Sequence, residues 1–211
     1  MTRENEFVLK RGLQNIVIAE VLSDTAEAIE YGTVEKLIPA GEMGITVDSE
    51  QTPFYFDNVV FATIGREGGS EISITGAGLR ATARARLNGK NIDGTTGAVL
   101  DSGRPKDVYF ALGAESFNTD GTRELFWFAK GTFSIPEESN KTMDESTDAK
   151  GTELTYTAIQ TTCLFKVDGE MVPHKRTVID TAVTKVKEEQ DFFAVPVTPL
   201  NIGTICEKLT A

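Results

Sequence analysis

The chain has 211 residues, 40% hydrophobic and 25% charged, which are ordinary globular values. They exclude wholesale disorder and fibrous repeats, and a chain of this length buries about 70% of its unfolded surface in a core. Against 21 Lys and Arg stand 32 Asp and Glu, a formal charge of −11, which argues against a surface that grips phosphate backbones. Behind the charges of MTRENEFVLKRG there is no apolar leader, and no uncharged apolar run reaches membrane-spanning length. The expectation is a protein made and kept in a cytoplasm, with no membrane partner.

Leu13 to Leu22 (LQNIVIAEVL) is β-rich, and after the polar turn SDTAEA a second β segment, TVEKLI, starts at Thr33, giving an opening hairpin. Ile45 to Gly65 is β-prone at both ends with a polar, Pro-containing middle, and it closes on the flexible REGGS. It reads as a long hairpin arm or an extended loop. ISIT (Ile72 to Thr75) is a short strand. LRATARARL (Leu79 to Leu87) is the best helix in the chain, with an apolar stripe of Leu79, Ala83 and Leu87 and a stop at Asn88-Gly89.

DVYFALGAES and RELFWFAKGTFSI, joined by the turn NTDG (Asn118 to Gly121), form the clearest hairpin. Phe126 and Phe128 point to one face and Trp127 to the other, so this strand has no plain solvent face. Either a helix covers its second side or another subunit does. Pro136 to Glu153 has the composition of a mobile loop, and LTYTAIQTTCLFKV resumes β character. RTVIDTAVTKVKEEQDFF is ambiguous: its Val and Thr favour strand, but Ile179, Val183, Val186 and Gln190 fit a helix opened by Thr177 with Asp180, and helix is the expectation. The sum is a mainly β chain, a sandwich or barrel-like fold with a flanking helix and long loops. It reads as a single domain over 1–211, with a carboxy-terminal extension from about residue 166 left open.

Candidate chemistry is sparse. Cys163 and Cys206 are a distant pair and His174 is the single histidine, so the usual Cys/His zinc site cannot be assembled within one chain; the reading is two buried, reduced thiols. ISITGAGLRA places Gly76-x-Gly78-x-x-Ala81 between strand and helix with Asp101 about 25 residues on, imitating a dinucleotide-binding turn. A small β-rich nucleotide-binding protein or enzyme built on it is the alternative function. Against it, the polar NGKNIDGTTG and the hairpins that follow do not continue a βαβ series, so a plain strand-to-helix turn is preferred. REGGSE lacks the Lys-Ser/Thr of a phosphate loop, and DESTDAKGTE lacks the glycine and final acid of an EF-hand, leaving at most a weak cation contact. His174 has no nucleophile motif beside it and reads as a surface histidine. No catalytic residue, cofactor or metal is expected.

The order of features resembles the major tail proteins that build the tail tube of long-tailed siphophages. The resemblance rests on GLQNIVIAEV, on Gly32-Thr-Val-Glu-Lys-Leu, on a strand leading to a short helix that ends in LNG, on DVYFALG, and above all on ELFWFAKGTFSIPEESNKT. It covers most of residues 12–165 and weakens from CLFKVDGEMVPHKR to Ala211. It implies a non-enzymatic virion protein, assembled in the host cytoplasm as hexameric rings stacked into a tube that conducts DNA to the host. The tape-measure protein, tail terminator and baseplate proteins would be further partners, and DNA would pass through the lumen without specific binding.

A tube subunit needs strands apolar on two sides, which FWFAKGTF supplies, and a wall that repels DNA, which fits the charge of −11. Phe54, Tyr55 and Phe56, three consecutive aromatics beside Pro53, mark the arm as a ring-stacking element, with Trp127 as a further candidate interface residue.

Overall fold

The computed structural model describes residues 7–56, 58–134, 151–187 and 192–209. In chain order these form β1 (Lys10–Asp24), β2 (Ile29–Tyr31), β3 (Glu35–Lys36), β4 (Ala40–Phe56), β5 (Val59–Gly76), α1 (Ala81–Leu87), β6 (Asn91–Ile92) and β7 (Val99–Leu100). There follow β8 (Phe110–Asn118), β9 (Arg123–Phe133), β10 (Thr152–Ile159), β11 (Leu164–Val167), β12 (Glu170–Pro173), β13 (Arg176–Asp180), β14 (Thr184–Val186), α2 (Ile202–Ile205) and β15 (Cys206–Lys208). The fold is mainly β, as expected. Nine of the described strands form one large antiparallel sheet in the order β2-β1-β8-β9-β10-β5-β4, with β3 added to β1 and β13 to β9, and β6-β7, β11-β12 and β14-β15 pair as separate two-stranded ribbons.

The sheet bends round on itself. Leu37 N–H donates to Ile16 C=O at 3.0 Å, and Ala77 N–H donates to Pro39 C=O at 3.0 Å, so residues 35–39 tie the β1 side to the far end of β5. Inside this curl lies the larger core, with Ile16 and Ile18 of β1, Ile72 and Ile74 of β5, Phe110 and Leu112 of β8, Phe126 and Phe128 of β9, and Tyr156 of β10. The sheet is thus the barrel-like member of the two expected arrangements.

α1 is the expected flanking helix. It buries Ala85 and Leu87, while Ala83 is half-buried and Leu79 packs against the core just before the helix begins. Lys90 N–H reaches Ala85 C=O and Gly89 N–H reaches Arg86 C=O, the pairing that closes a helix through a left-handed residue. Gly89 has φ +64°, and a Cβ there would collide with the Lys106 carbonyl, so the LNG ending is set by backbone geometry.

The three adjacent strands β1, β8 and β9 are apolar on both faces. Alternation sends Phe126 and Phe128 inside the curl and Leu125 and Trp127 to the other side, where they join Val17, Ala19, Ala111 and Ile179. Phe192, Val197 and Ile205 of the chain's own carboxy-terminal segment cover this second cluster. β5 and β10 instead alternate buried Ile72, Ile74, Leu154 and Tyr156 with polar Glu71, Ser73, Glu153 and Thr155, so that half of the sheet has an ordinary polar face.

The helix expected over Thr177 to Gln190 is corrected: the described part is β13, a turn at 181–183 and β14. β13 pairs with β9 from Arg176↔Phe128 to Asp180↔Glu124, burying Thr177 and Ile179 and exposing Val178. A period of two therefore won over the apparent helical period, because an open edge of β9 was available to a Val/Thr/Ile-rich segment. Asp180 accepts the Ala182 N–H and opens the turn instead of serving a capping box. Gln190 lies outside the described residues, as does the expected mobile loop except for its last residues, of which Thr152 and Glu153 begin β10.

Candidate assembly surface

β4 and β5 are 17 and 18 residues long and pair with each other along their whole length, from Ala40↔Gly76 to Phe56↔Val59. β10 accompanies β5 only between Ser70 and Gly76. Beyond that point the hairpin leaves the body as a two-stranded arm, reaching about 30 Å at the usual strand rise. Pro53 is tolerated because β4 is the terminal strand of the sheet and its outer edge has no ladder to break. Asn58, with φ 61°, supplies the left-handed residue at the tip.

The root of the arm is pinned. Lys175 contacts the Glu67 carboxylate and donates to the Gly68 carbonyl at 3.2 Å, tethering β5 to the residue before β13. Gly68 and Gly69 stay within β5, with Asp48 of β4 close beside Gly68. The REGGS segment is therefore strand, not a flexible end to the arm.

The tip carries Phe54, Tyr55 (62% exposed), Phe56 (64%), Val59, Val60 and Phe61 (76%), all open to solvent. A two-stranded ribbon has no core of its own, so both of its faces present apolar side chains. Phe56 and Phe61 stack edge to face at 5.2 Å. Sequence reading found Phe54, Tyr55 and Phe56 but missed Val59, Val60 and Phe61. The alternation in VVFAT was the available signal.

The fourth candidate lies elsewhere. Trp127 is wholly buried, donates Nε1–H to the Phe192 carbonyl at 2.8 Å, and lies against Phe193 with ring centroids 6.2 Å apart. Its face is covered from within the chain, so Trp127 is corrected from an interface residue to a core residue. The structure does not bring it together with Phe54, Tyr55 and Phe56.

The Gly76-x-Gly78-x-x-Ala81 turn follows β5, whose neighbours β4 and β10 both run antiparallel to it. After α1 comes β6, which pairs with β7 in a separate ribbon. Leu79 N–H donates to Thr152 Oγ1, while Asp101 is taken by Lys90 at 2.6 Å and by the Gly103 N–H. The Lys90 hydrogen bond foremost, then the Gly103 N–H and the Lys90 charge, hold its carboxyl below the usual range. This is not the parallel βαβ frame that places pyrophosphate on a helix end.

One buried polar cluster fastens the carboxy-terminal half to β1. Asp24 accepts from Lys130 Nζ at 2.7 Å and from the backbone N–H groups of Thr162 and Cys163 at 2.7 and 2.9 Å. Burial alone would raise its pKa, but the Lys130 hydrogen bond, the two backbone donors and the Lys130 charge outweigh burial and hold it below the usual value. Burial first and the Asp24 charge second push the Cys163 thiol up, so it stays protonated. His174 is half-buried rather than on the surface: its Nε2 lies 2.8 Å from Thr177 Oγ1, which itself donates to the Val197 carbonyl, so the imidazole is the donor. Among the described residues no three His, Cys, Asp or Glu side chains gather as a metal site, and no helix is long and apolar enough to cross a membrane.

Compared with family models and with curated proteins, the chain matches none.

Proposed function

We propose that this chain is a non-enzymatic structural subunit that polymerises through its arm, as stacked hexameric rings forming the tail tube of a long-tailed phage. The observation that carries the reading is the arm itself. Six apolar side chains stand in solvent at the end of a ribbon reaching beyond the body, and a contiguous exposed apolar patch marks a surface that another molecule covers. With the second face of β9 covered from within the chain, the arm is the exposed apolar surface that supports assembly. The resemblance of the strand and helix order to tail-tube subunits supplies the ring and tube, the tape-measure, terminator and baseplate partners, and the passage of DNA. The charge of −11 suits a lumen that repels DNA rather than binding it.

Electron microscopy of the concentrated protein in negative stain tests the reading. Rings or tubes of constant diameter are expected. A protein that stays monomeric by light scattering at every concentration, with no rings on the grid, overturns it.

A further inference from the structure

We infer that the arm tip of one copy seats in a groove between β1 and residues 36–39 of another copy, with the tip end of β4, Phe54 to Phe56, lying along the open edge of β1. This rests on the self-assembly reading and names the surface that receives the arm. The groove measures about 640 Å³, and Leu13, Ile16, Leu37, Ile38 and Pro39 line it beside Lys36. It arises from a break in pairing. Asn15 has φ 50°, and the register of β1 on β8 slips between Gln14 and Val17. On its other side β1 pairs with β3 at Val17 and Ile18, and the Leu37 N–H to Ile16 C=O bond is the last in that direction. From Lys10 to Asn15, among the described residues, no strand takes that edge, so unpaired backbone and apolar side chains are open together.

The chain's own arm does not reach this groove. Pro39 stands at the body end of β4, and Phe56 lies at the far end of that 17-residue strand, about 55 Å away. A second copy brings what the groove lacks. β4 ends the sheet, so the short stretch of its outer edge beyond Pro53, which itself has no N–H to donate, is free to meet β1, while Phe54, Tyr55 and Phe56 supply apolar side chains for the pocket. The charges match as well. The acids of β4 nearer the tip are Asp48 and Glu50, and the strand has no Lys or Arg, whereas exposed Arg11 stands on β1 and exposed Lys36 across the groove. One arm and one groove per copy make a head-to-tail contact that propagates into rings or stacks when each arm enters a different neighbour, whereas mutual exchange between two copies would stop at a dimer.

Paired cysteines test the contact. Tyr55→Cys and Gln14→Cys both fall at exposed positions, and the native Cys163 and Cys206 are buried. Under assembling conditions with a mild oxidant, the double variant should give a ladder of disulfide-linked multimers on a non-reducing gel, and each single variant none. Lys36→Glu should raise the concentration needed for assembly about tenfold, and Glu50→Lys on the same chain should restore it. Tubes without a ladder, a ladder from Tyr55→Cys alone, or indifference to Lys36→Glu would each overturn the contact while leaving self-assembly standing. A wild-type protein that never assembles overturns both.

Discussion

Gly113 and Trp127 stand directly opposite each other on β8 and β9, and a Cβ added to Gly113 would lie 2.8 Å from the indole ring. The glycine makes the space that the largest side chain of the second core occupies. Gly113→Ala should therefore cost about 1–3 kcal/mol through overpacking, read as a lower denaturant midpoint at unchanged slope. Trp127→Phe should cost about 1–3 kcal/mol, because it leaves the buried Phe192 carbonyl without its donor. Neither variant should alter the far-ultraviolet spectrum of the folded state.

Asp24 predicts an acid limb in stability. Its folded pKa lies below the reference 3.8, so its contribution is complete above about pH 4 and is lost as pH falls through the depressed value. Asp24→Ala should cost about 3 kcal/mol at pH 7, because it leaves the Lys130 ammonium, 12% exposed, without its carboxylate. The variant's stability should also fall less steeply below pH 4 than the wild type's. An acid limb of unchanged slope would show that the pair contributes nothing.

His174 acts at higher pH. Burial lowers its folded pKa below the reference 6.5, so between those two values the unfolded chain binds the extra proton and stability rises with pH. The wild type should lose stability on titration from pH 7 toward the depressed value. His174→Gln keeps a donor for Thr177 and should flatten that slope. Urea unfolding at half-unit pH steps measures it.

The arm can be tested without disturbing the body. Phe54, Tyr55 and Phe56 are exposed beyond the last β10 pairing, so replacing all three with Ser should leave the melting temperature within about 2 °C of wild type. Light scattering should show that polymerisation is abolished. Loss of folded signal by circular dichroism would mean that these side chains belong to a core.

Local rules settled much of this fold within the sequence. The β8–β9 hairpin was legible because NTDG carries its own turn chemistry: Asp120 accepts from the Thr122 N–H and hydroxyl, and Gly121 takes φ +87°. The end of α1 was legible because only a residue at ease with positive φ closes it, and Gly89 is that residue. The apolar tip residues Phe54, Tyr55 and Phe56 were visible too, since no alternation could bury three aromatics in a row. Tertiary contacts decided the rest. REGGS looked like a flexible stop, yet it continues β5 because β4 pairs with it, from Val47↔Ser70 to Glu50↔Arg66. Residues 176–180 took β geometry because β9 offered an edge some fifty residues earlier in the chain, a partner that no local window contains. The side of β9 that bears Trp127 needed a cover, as the sequence required. That the cover is Phe192, Val197 and Ile205 of the same chain depends on long-range packing, which leaves no period in the segment that provides it.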